Sequence, residues 1–384
     1  MIAGAVSALP PVSSVADLIV ARLRDAGIRC LFGVPGGGSN LDLIDAASRA
    51  GLGFVLTSTE TAGAIAALAQ AEISGRPGAC LTTLGPGVAS VVNGVACAHL
   101  DRAPLLVFTD SHSASAGDIF EHQWLDHRAL LAPVTKWSAM LTADNADEVV
   151  RQAIARAMEE PKGPVHIDVS ADIGTRAGRQ PPATHGPRPE ATDQRLAIDD
   201  QRLAADDPRL STDGQRPATD DWPLVAASRR PLLLVGLGAR RPADVAAIRG
   251  LYRRRAIPAL VTYKAKGVVP DSDPHFAGVF TNGALEQPTL DEADLLIGVG
   301  LDPVELIPRA WRPKAPIINI ARSRMVDRHV PFAAQLVTDI PAGLQRLGDA
   351  LQPPGHWDLG ALGQRVAADR ARIGRQAADR LAPH

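Results

Sequence analysis

Apolar residues along most of this chain alternate between two spacings. VADLIVARLRDAG, from Val15, carries them at the three-to-four-residue spacing of a helix face and stops at Gly27. CLFGV then reads as a short buried strand, followed by the turn Pro35-Gly36-Gly37-Gly38. NLDLIDAASRAG predicts a helix, FVLTST a strand, and TAGAIAALAQAEISG an alanine-rich helix whose small side chains permit close packing. ACLTTL, the turn Gly85-Pro86-Gly87 and VASVVNGVACAHLD repeat the pattern, and PLLVFTD, ADEVVRQAIARAMEE and PVHIDVS complete it. Strands apolar on both faces and separated by helices predict a parallel sheet covered on both sides.

A second block of the same kind begins at Trp222. PLLLVGLGA, IPALVTY, ADLLIGVG, APIINIA and FAAQLVTD read as strands, with helices at ADVAAIRGLYRRRA and IPAGLQRLGDAL. The predicted fold class is α/β, two three-layer α/β/α domains with mainly parallel sheets. Residues 175–221 break the pattern, being rich in Pro, Asp, Arg and Gln, with an imperfect repeat (DQRLAI, DDQRLAA, DDPRLST) and too few leucines for a core face. The predicted organisation is a disordered lead at 1–13, a domain at 14–174, a flexible linker at 175–221, a domain at 222–353, and a charged helical tail at 354–384 that has little of its own to pack on.

Composition narrows the class. At 384 residues, two or three domains are expected from a prior of ~150 residues each. A hydrophobic content of 46% supports real cores, and a net charge of −2 gives no electrostatic pull toward nucleic acid. Cys30, Cys80 and Cys97 form no CxxC pair, which argues against a zinc site or disulfide framework and predicts a reducing cytoplasm. The N-terminus lacks a positive n-region, and no apolar run reaches the length of a membrane span.

Glu60 is the leading candidate for chemistry. One reading of Thr57-Ser58-Thr59-Glu60 is a capping box ahead of an apolar helix. The other is a functional acid at a strand-to-helix junction, where open α/β sheets place ligands. The nearly uncharged helix that follows would partly desolvate the carboxyl and raise its pKa, which suits proton exchange. The two glycine turns also follow strands, so three loops gather on one rim. Neither is a phosphate loop, because no GK[ST] follows, and FGVPGGG lacks the dinucleotide spacing. His122 and Gln123 lie in the loop FEHQWLDHRALLAPVTKW, where a histidine could orient a carboxylate or relay a proton, or simply be a surface residue. Lys136 reads as a structural residue or one at the mouth of the site. No metal-ligand set is evident.

The order FGVPGG, a strand ending in Glu, GRPGACLTTLGPGVASVVNGVACAHLDRAPLLVFT, APVTKW and GPVHIDVSADI resembles the pyrimidine-binding domain of thiamine-diphosphate enzymes of the acetolactate synthase and benzoylformate decarboxylase group. TYKAKGVVPDSDPHFAGVF with DEADLLIGVG resembles their Rossmann-like central domain. By this resemblance Glu60 hydrogen-bonds the aminopyrimidine ring of thiamine diphosphate and promotes loss of the thiazolium proton, so that the cofactor can act on a 2-oxo acid as an electron sink. Val34, Pro35 and Gly36 would touch the pyrimidine, Gly85, Pro86 and Gly87 would shape its pocket, and His122 and Gln123 would lie on the substrate side. Two departures stand out: Thr59 precedes Glu60 where many relatives have His, and Ala69-Gln70-Ala71-Glu72 replaces Gly-Tyr-Ala-Arg.

In that family the diphosphate and its Mg2+ are held by a third domain marked Gly-Asp-Gly…Asn-Asn. Neither motif occurs here. The resemblance therefore implies either a fragment truncated before that domain or a pyrimidine-binding subunit that needs a separate chain carrying it, is inactive without it, and assembles as a homodimer or heterotetramer. The acidic runs that accompany flavin in acetolactate synthases are replaced by Leu301-Asp302-Pro303-Val304-Glu305 and Asn319-Ile320-Ala321, which implies a central domain without FAD. Two other readings stay open: a catalytically silent binding or regulatory homologue, and a nucleotide-binding protein using the turn Gly236-Leu237-Gly238.

Overall fold

The computed structural model describes residues 14–112, 122–170, 223–325, 329–352 and 356–381. The lead at 1–13 and the linker at 175–221 lie outside the described residues. The chain divides into two compact units, Met1–His185 and Gly186–His384.

In the first unit the helices are α1 (Val15–Asp25), α2 (Ser39–Arg49), α3 (Glu60–Ser74), α4 (Pro86–Leu100), α5 (His127–Leu131) and α6 (Ala146–Met158). The strands are β1 (Cys30–Val34), β2 (Gly53–Leu56), β3 (Gly78–Thr82), β4 (Leu105–Ser111), β5 (Ser138–Leu141) and β6 (Val165–Ser170). They form one parallel sheet in the order β2-β1-β3-β4-β6-β5. Local chemistry starts the first helix: Ser14 and Asp17 form a reciprocal capping box. The central strands β3, β4 and β6 are buried almost throughout, as continuous apolar runs in a covered parallel sheet must be. Leu31, Leu81, Phe108 and Ile167 join one layer of core with α1, α2 and α6; Cys80, Leu105 and Val107 join the other with α3 and α4. Cys80 is wholly buried, and burial pushes its thiol up to about 12.

The chain leaves β1 toward β2 on one side and continues from β3 toward β4 on the other. The carboxyl ends of β1 and β3 therefore flank a topological switch point, where the outgoing loops diverge and leave a crevice.

In the second unit the helices are α7 (Pro223–Ala227), α8 (Pro242–Arg255), α9 (Gln287–Glu292), α10 (Ile340–Ala350) and α11 (Leu359–Leu381). The strands are β7 (Pro231–Val235), β8 (Ala259–Val261), β9 (Phe276–Val279), β10 (Leu295–Val299), β11 (Ile317–Ala321) and β12 (Phe332–Val337), parallel in the order β12-β11-β10-β7-β8-β9. Its core centres on Leu233, Ile297, Tyr252 and Ile320. Arg322 reaches the fully buried Asp244 through two hydrogen bonds of 2.6 and 3.0 Å and touches Asp339 at 2.9 Å.

The start of the C-terminal segment corrects the expectation that it has little to pack on. Leu362 is buried, and the Trp357 indole donates to the Pro231 carbonyl. Arg365 pairs with Glu292 at 2.6 Å, and Arg370 pairs with Asp271 while lying over the Phe276 ring. The charged residues that gave the helix a solvated look are those that clip it to the second unit.

Candidate active site

The capping-box reading of Glu60 does not hold. Helix α3 is capped by Thr59, whose hydroxyl accepts from the Ala62 amide at 3.1 Å, and the Thr57 hydroxyl donates to the Thr59 carbonyl. Glu60 is thus the first helical residue, and its carboxylate has no hydrogen bond or ion pair among the described residues. It is half-buried. Gly63, one turn on, packs directly on Gly33 of β1: a Cβ added there would stand 2.8 Å from the Gly33 Cα. This close approach sets the first turn of α3, and with it the acid, against the switch point.

The Gly85-Pro86-Gly87 turn faces the same acid. A Cβ at Gly87 would stand 3.5 Å from Glu60 Oε1, and only 2.6 Å from both Thr82 Oγ1 and Thr83 Cγ2. Thr82 and Thr83 leave no room for a side chain at this buried position, so glycine lets the turn close up beside the acid. Gly85 has φ +60° and no room for a side chain, since its Cβ would lie 2.1 Å from the Gln123 carbonyl oxygen. Pro86 is exposed and opens α4 at a position where its missing N–H costs nothing. On the other flank Val34 ends β1, and Val34, Pro35 and Gly36 are half-buried.

The loop residues join the rim mainly through backbone. His122 and Gln123 are exposed. The His122 carbonyl is 3.0 Å from His112 Nε2, and the Gln123 carbonyl fills the space beside Gly85. Of the two readings of Lys136, the structural one fits: its ammonium donates to the Arg156 and Glu159 carbonyls at the end of α6.

Beneath the rim lie residues that sequence reasoning did not single out. The Gly85 amide donates to His127 Nε2 at 2.9 Å, and His127 Nδ1 lies 2.8 Å from Asp168 Oδ1. Thr109 also donates to Asp168, at 2.5 Å, and His166 lies between the Thr109 and Ser138 hydroxyls. Burial alone would push the Asp168 carboxyl up, but hydrogen bonds from His127, His166 and Thr109 hold it well below the usual range. Ligand atoms of His127, His166 and Asp168 lie within 4.8 Å of one another, yet every ring nitrogen already has a hydrogen-bond partner. On the Pro35–Gly38 side, the Gly36 amide donates to Asn40 Oδ1, and Asn40 Nδ2 donates to Asp110 Oδ1 at 2.9 Å. Asp110 is fully buried, and burial pushes its carboxyl up against the opposing bonds from Ser39 and Asn40. Apart from Gly36 with Asn40 and His166 with Asp168, these partners are 28–71 residues apart in sequence, so no local pattern announces them.

In the second unit, the switch-point turn is sealed by the protein itself. Gly236 and Gly238 pack on Gly300, and the Gly238 amide donates to the Gly300 carbonyl. The Leu237 amide donates to Glu305 Oε2 at 2.8 Å. Glu305 is buried, which pushes its carboxyl up.

A parallel α/β unit that brings a half-buried acid, without a partner among the described residues, and two glycine turns to one switch point has the layout of a ligand-binding domain. Residues 13–130 match the thiamine pyrophosphate enzyme N-terminal TPP-binding domain, and residues 222–347 match the central domain of the same enzymes. Together these cover more than half of the chain, which belongs to the thiamine pyrophosphate enzymes and is of their acetolactate synthase and decarboxylase-like kind. It is 30% identical to the probable 2-ketoarginine decarboxylase AruI of Pseudomonas aeruginosa, over 92% of this chain and 61% of that protein. It is 28% identical to the catabolic acetolactate synthase of Raoultella terrigena, over 88% of this chain and 58% of that one. For the acetolactate synthase isozyme 2 large subunit of Escherichia coli the values are 26%, 86% and 59%. The chain spans about three-fifths of the length of these relatives. Among the described residues, no helix is long and apolar enough to cross a membrane.

Proposed function

We propose that this chain supplies the pyrimidine-binding side of a thiamine-diphosphate site acting on 2-oxo acids, as a decarboxylase or carboligase. The observation that carries the reading is Glu60: half-buried, without a hydrogen-bond partner among the described residues, and set at the switch point beside the Gly85-Pro86-Gly87 turn. When bound, thiamine diphosphate supplies an electron sink for cleavage beside the 2-oxo carbonyl. Glu60 holds and moves a proton at its carboxylate, the Gly36 and Gly85-Pro86-Gly87 turns border a flat ring on either side, and Val34 and Pro35 give it an apolar edge. His122 and Gln123 lie on the rim where the substrate enters.

The diphosphate and Mg2+ are held, in this reading, by a separate chain bearing Gly-Asp-Gly…Asn-Asn, and this chain is inactive without it. The outer face of the unit supports such an assembly. Ile65 and Ile73 stand 43% and 88% exposed on α3, Leu100 is 55% exposed at the end of α4, and both helices are nearly uncharged. A central domain without flavin is supported by Glu305, which occupies the turn amide that a phosphate would need. Three free cysteines support a cytoplasmic setting.

The test is to combine this chain with a partner carrying the diphosphate motif, thiamine diphosphate and Mg2+, and to measure CO2 release from pyruvate and from 2-ketoarginine. Glu60→Gln should lower turnover by about 10²–10⁴-fold. Equal turnover by Glu60→Gln, or CO2 release by this chain alone, would overturn the proposal.

A further inference from the structure

The two glycine turns of the site are held from below by the same device. On one side the Gly36 amide donates to Asn40 Oδ1 (3.1 Å), and Asn40 Nδ2 donates to Asp110 Oδ1 (2.9 Å) at the end of β4. On the other the Gly85 amide donates to His127 Nε2 (2.9 Å), and His127 Nδ1 meets Asp168 Oδ1 (2.8 Å) in β6. Each chain of contacts runs from a glycine N–H, through one side chain with an acceptor and a donor, to a buried carboxylate on adjacent, paired strands.

Elementary chemistry fixes the direction of both. A backbone N–H only donates, so His127 Nε2 carries its lone pair and the proton sits on Nδ1, facing Asp168. By the same logic the Asn40 amide has its oxygen toward Gly36 and its nitrogen toward Asp110. Reversing either middle residue would set donor against donor at the glycine and leave the carboxylate without that bond. The acids beneath are independently anchored, Asp168 by Thr109 at 2.5 Å and Asp110 by the Ser39 hydroxyl at 2.5 Å and the Asn40 amide at 2.9 Å. The turns have little slack: a Cβ at Gly36 would meet Asp110 and Thr83 at 2.4 Å, and one at Gly85 would meet the Gln123 carbonyl at 2.1 Å.

We infer that Asn40 with Asp110, and His127 with Asp168, are positioning residues: two buried-acid relays that lock the Gly36 and Gly85 turns on either side of the crevice and keep both glycine amides turned away from it. With both amides committed to these acceptors, neither glycine offers its N–H to a ligand in the crevice. That the crevice holds the cofactor rests on the thiamine-diphosphate reading above; the relays themselves do not.

Two conservative replacements of His127 separate its contacts. His127→Gln keeps an acceptor at the distance of Nε2, toward Gly85. His127→Asn keeps a donor at the distance of Nδ1, toward Asp168, and leaves Gly85 without an acceptor. Amide hydrogen exchange, read by NMR on the whole chain without cofactor, should show the Gly85 amide exchanging about tenfold faster in His127→Asn and within about threefold of wild type in His127→Gln. The Val107 amide in β4 serves as the control for global opening. Unchanged Gly85 exchange in His127→Asn, or acceleration shared equally by Val107, would overturn the relay. Should either variant fail to fold, 15N NMR of the wild-type imidazoles at neutral pH still decides: an Nδ1–H tautomer for His127 is expected, and an Nε2–H tautomer or imidazolium overturns it. In the complete assembly, His127→Asn should weaken thiamine diphosphate binding by about tenfold, with His127→Gln closer to wild type. Intact exchange effects with unaltered cofactor affinity would overturn the assignment of the relays to cofactor binding while leaving the relays standing.

Discussion

Gly63→Ala tests whether close packing of α3 on β1 sets the reach of Glu60. The added methyl would stand 2.8 Å from the Gly33 Cα and 3.1 Å from both the Gly33 nitrogen and Thr57 Oγ1. Ordinary carbon contacts begin near ~3.5 Å, so the first turn of α3 must retreat by roughly 0.7 Å. Overpacking of this kind costs about 1–3 kcal/mol. Replacing glycine within a helix returns about 1 kcal/mol, so the net loss of stability should be only ~0–2 kcal/mol. Function should suffer more. Gly63 is hydrogen-bonded to the Thr59 carbonyl, so a shift of the turn carries Glu60 with it. A misplacement near 1 Å costs on the order of 10²-fold in rate. The assay pairs urea denaturation of the first unit with turnover in the complete assembly. Gly37→Ala is the control, because a Cβ there meets nothing within 4 Å. Wild-type turnover by a folded Gly63→Ala protein would refute the account, as would a loss of activity fully explained by unfolding.

Three further outcomes follow from the polar interior. Arg322→Met should destabilise the second unit by about 3–5 kcal/mol in calorimetry, because Asp244 keeps its buried charge without its partner. Asp168 has a depressed carboxyl, so its contribution is present above the unfolded pKa of about 3.9 and is lost as pH falls through the lower folded value. Asp168→Asn should accordingly lower the melting temperature of the first unit at neutral pH, with the gap from wild type closing below about pH 4. Glu305 behaves in the opposite sense: its folded pKa is raised, so its ionised form weighs against folding as pH rises past about 4.3. Glu305→Gln keeps an acceptor for Leu237 and should raise the melting temperature of the second unit, by a margin that widens from pH 4 to pH 8.

Much of the architecture is legible from apolar spacing. Ten strands stand out as runs that are apolar on both faces, and the strand missed in each unit is an edge strand. β5 is the short SAML, three of whose four residues are partly or fully exposed. β9 is FAGV, which carries Gly278 at φ +119° beside an irregular register with β8. A strand with one neighbour does not need a continuous apolar run, so the pattern fades at the borders of the sheet. The site divides similarly. Glu60 and both turns follow from strand ends, a local property. Whether Glu60 caps its helix or faces outward turns on a shift of the helix start, which Thr57 and Thr59 leave ambiguous in sequence. His127 and Asp168 sit within ordinary-looking segments and acquire their role only when the sheet brings them under Gly85.

Cys80 makes this sheet open to direct timing. Its thiol is sealed inside β3 beside Phe32 and is pushed up to about 12, whereas Cys97 on α4 is partly accessible. An alkylating reagent should therefore modify Cys97 promptly and reach Cys80 only while β3 is parted from its neighbours. The lag between the two gives a stopwatch for transient separation of the strands on which the glycine turns are mounted.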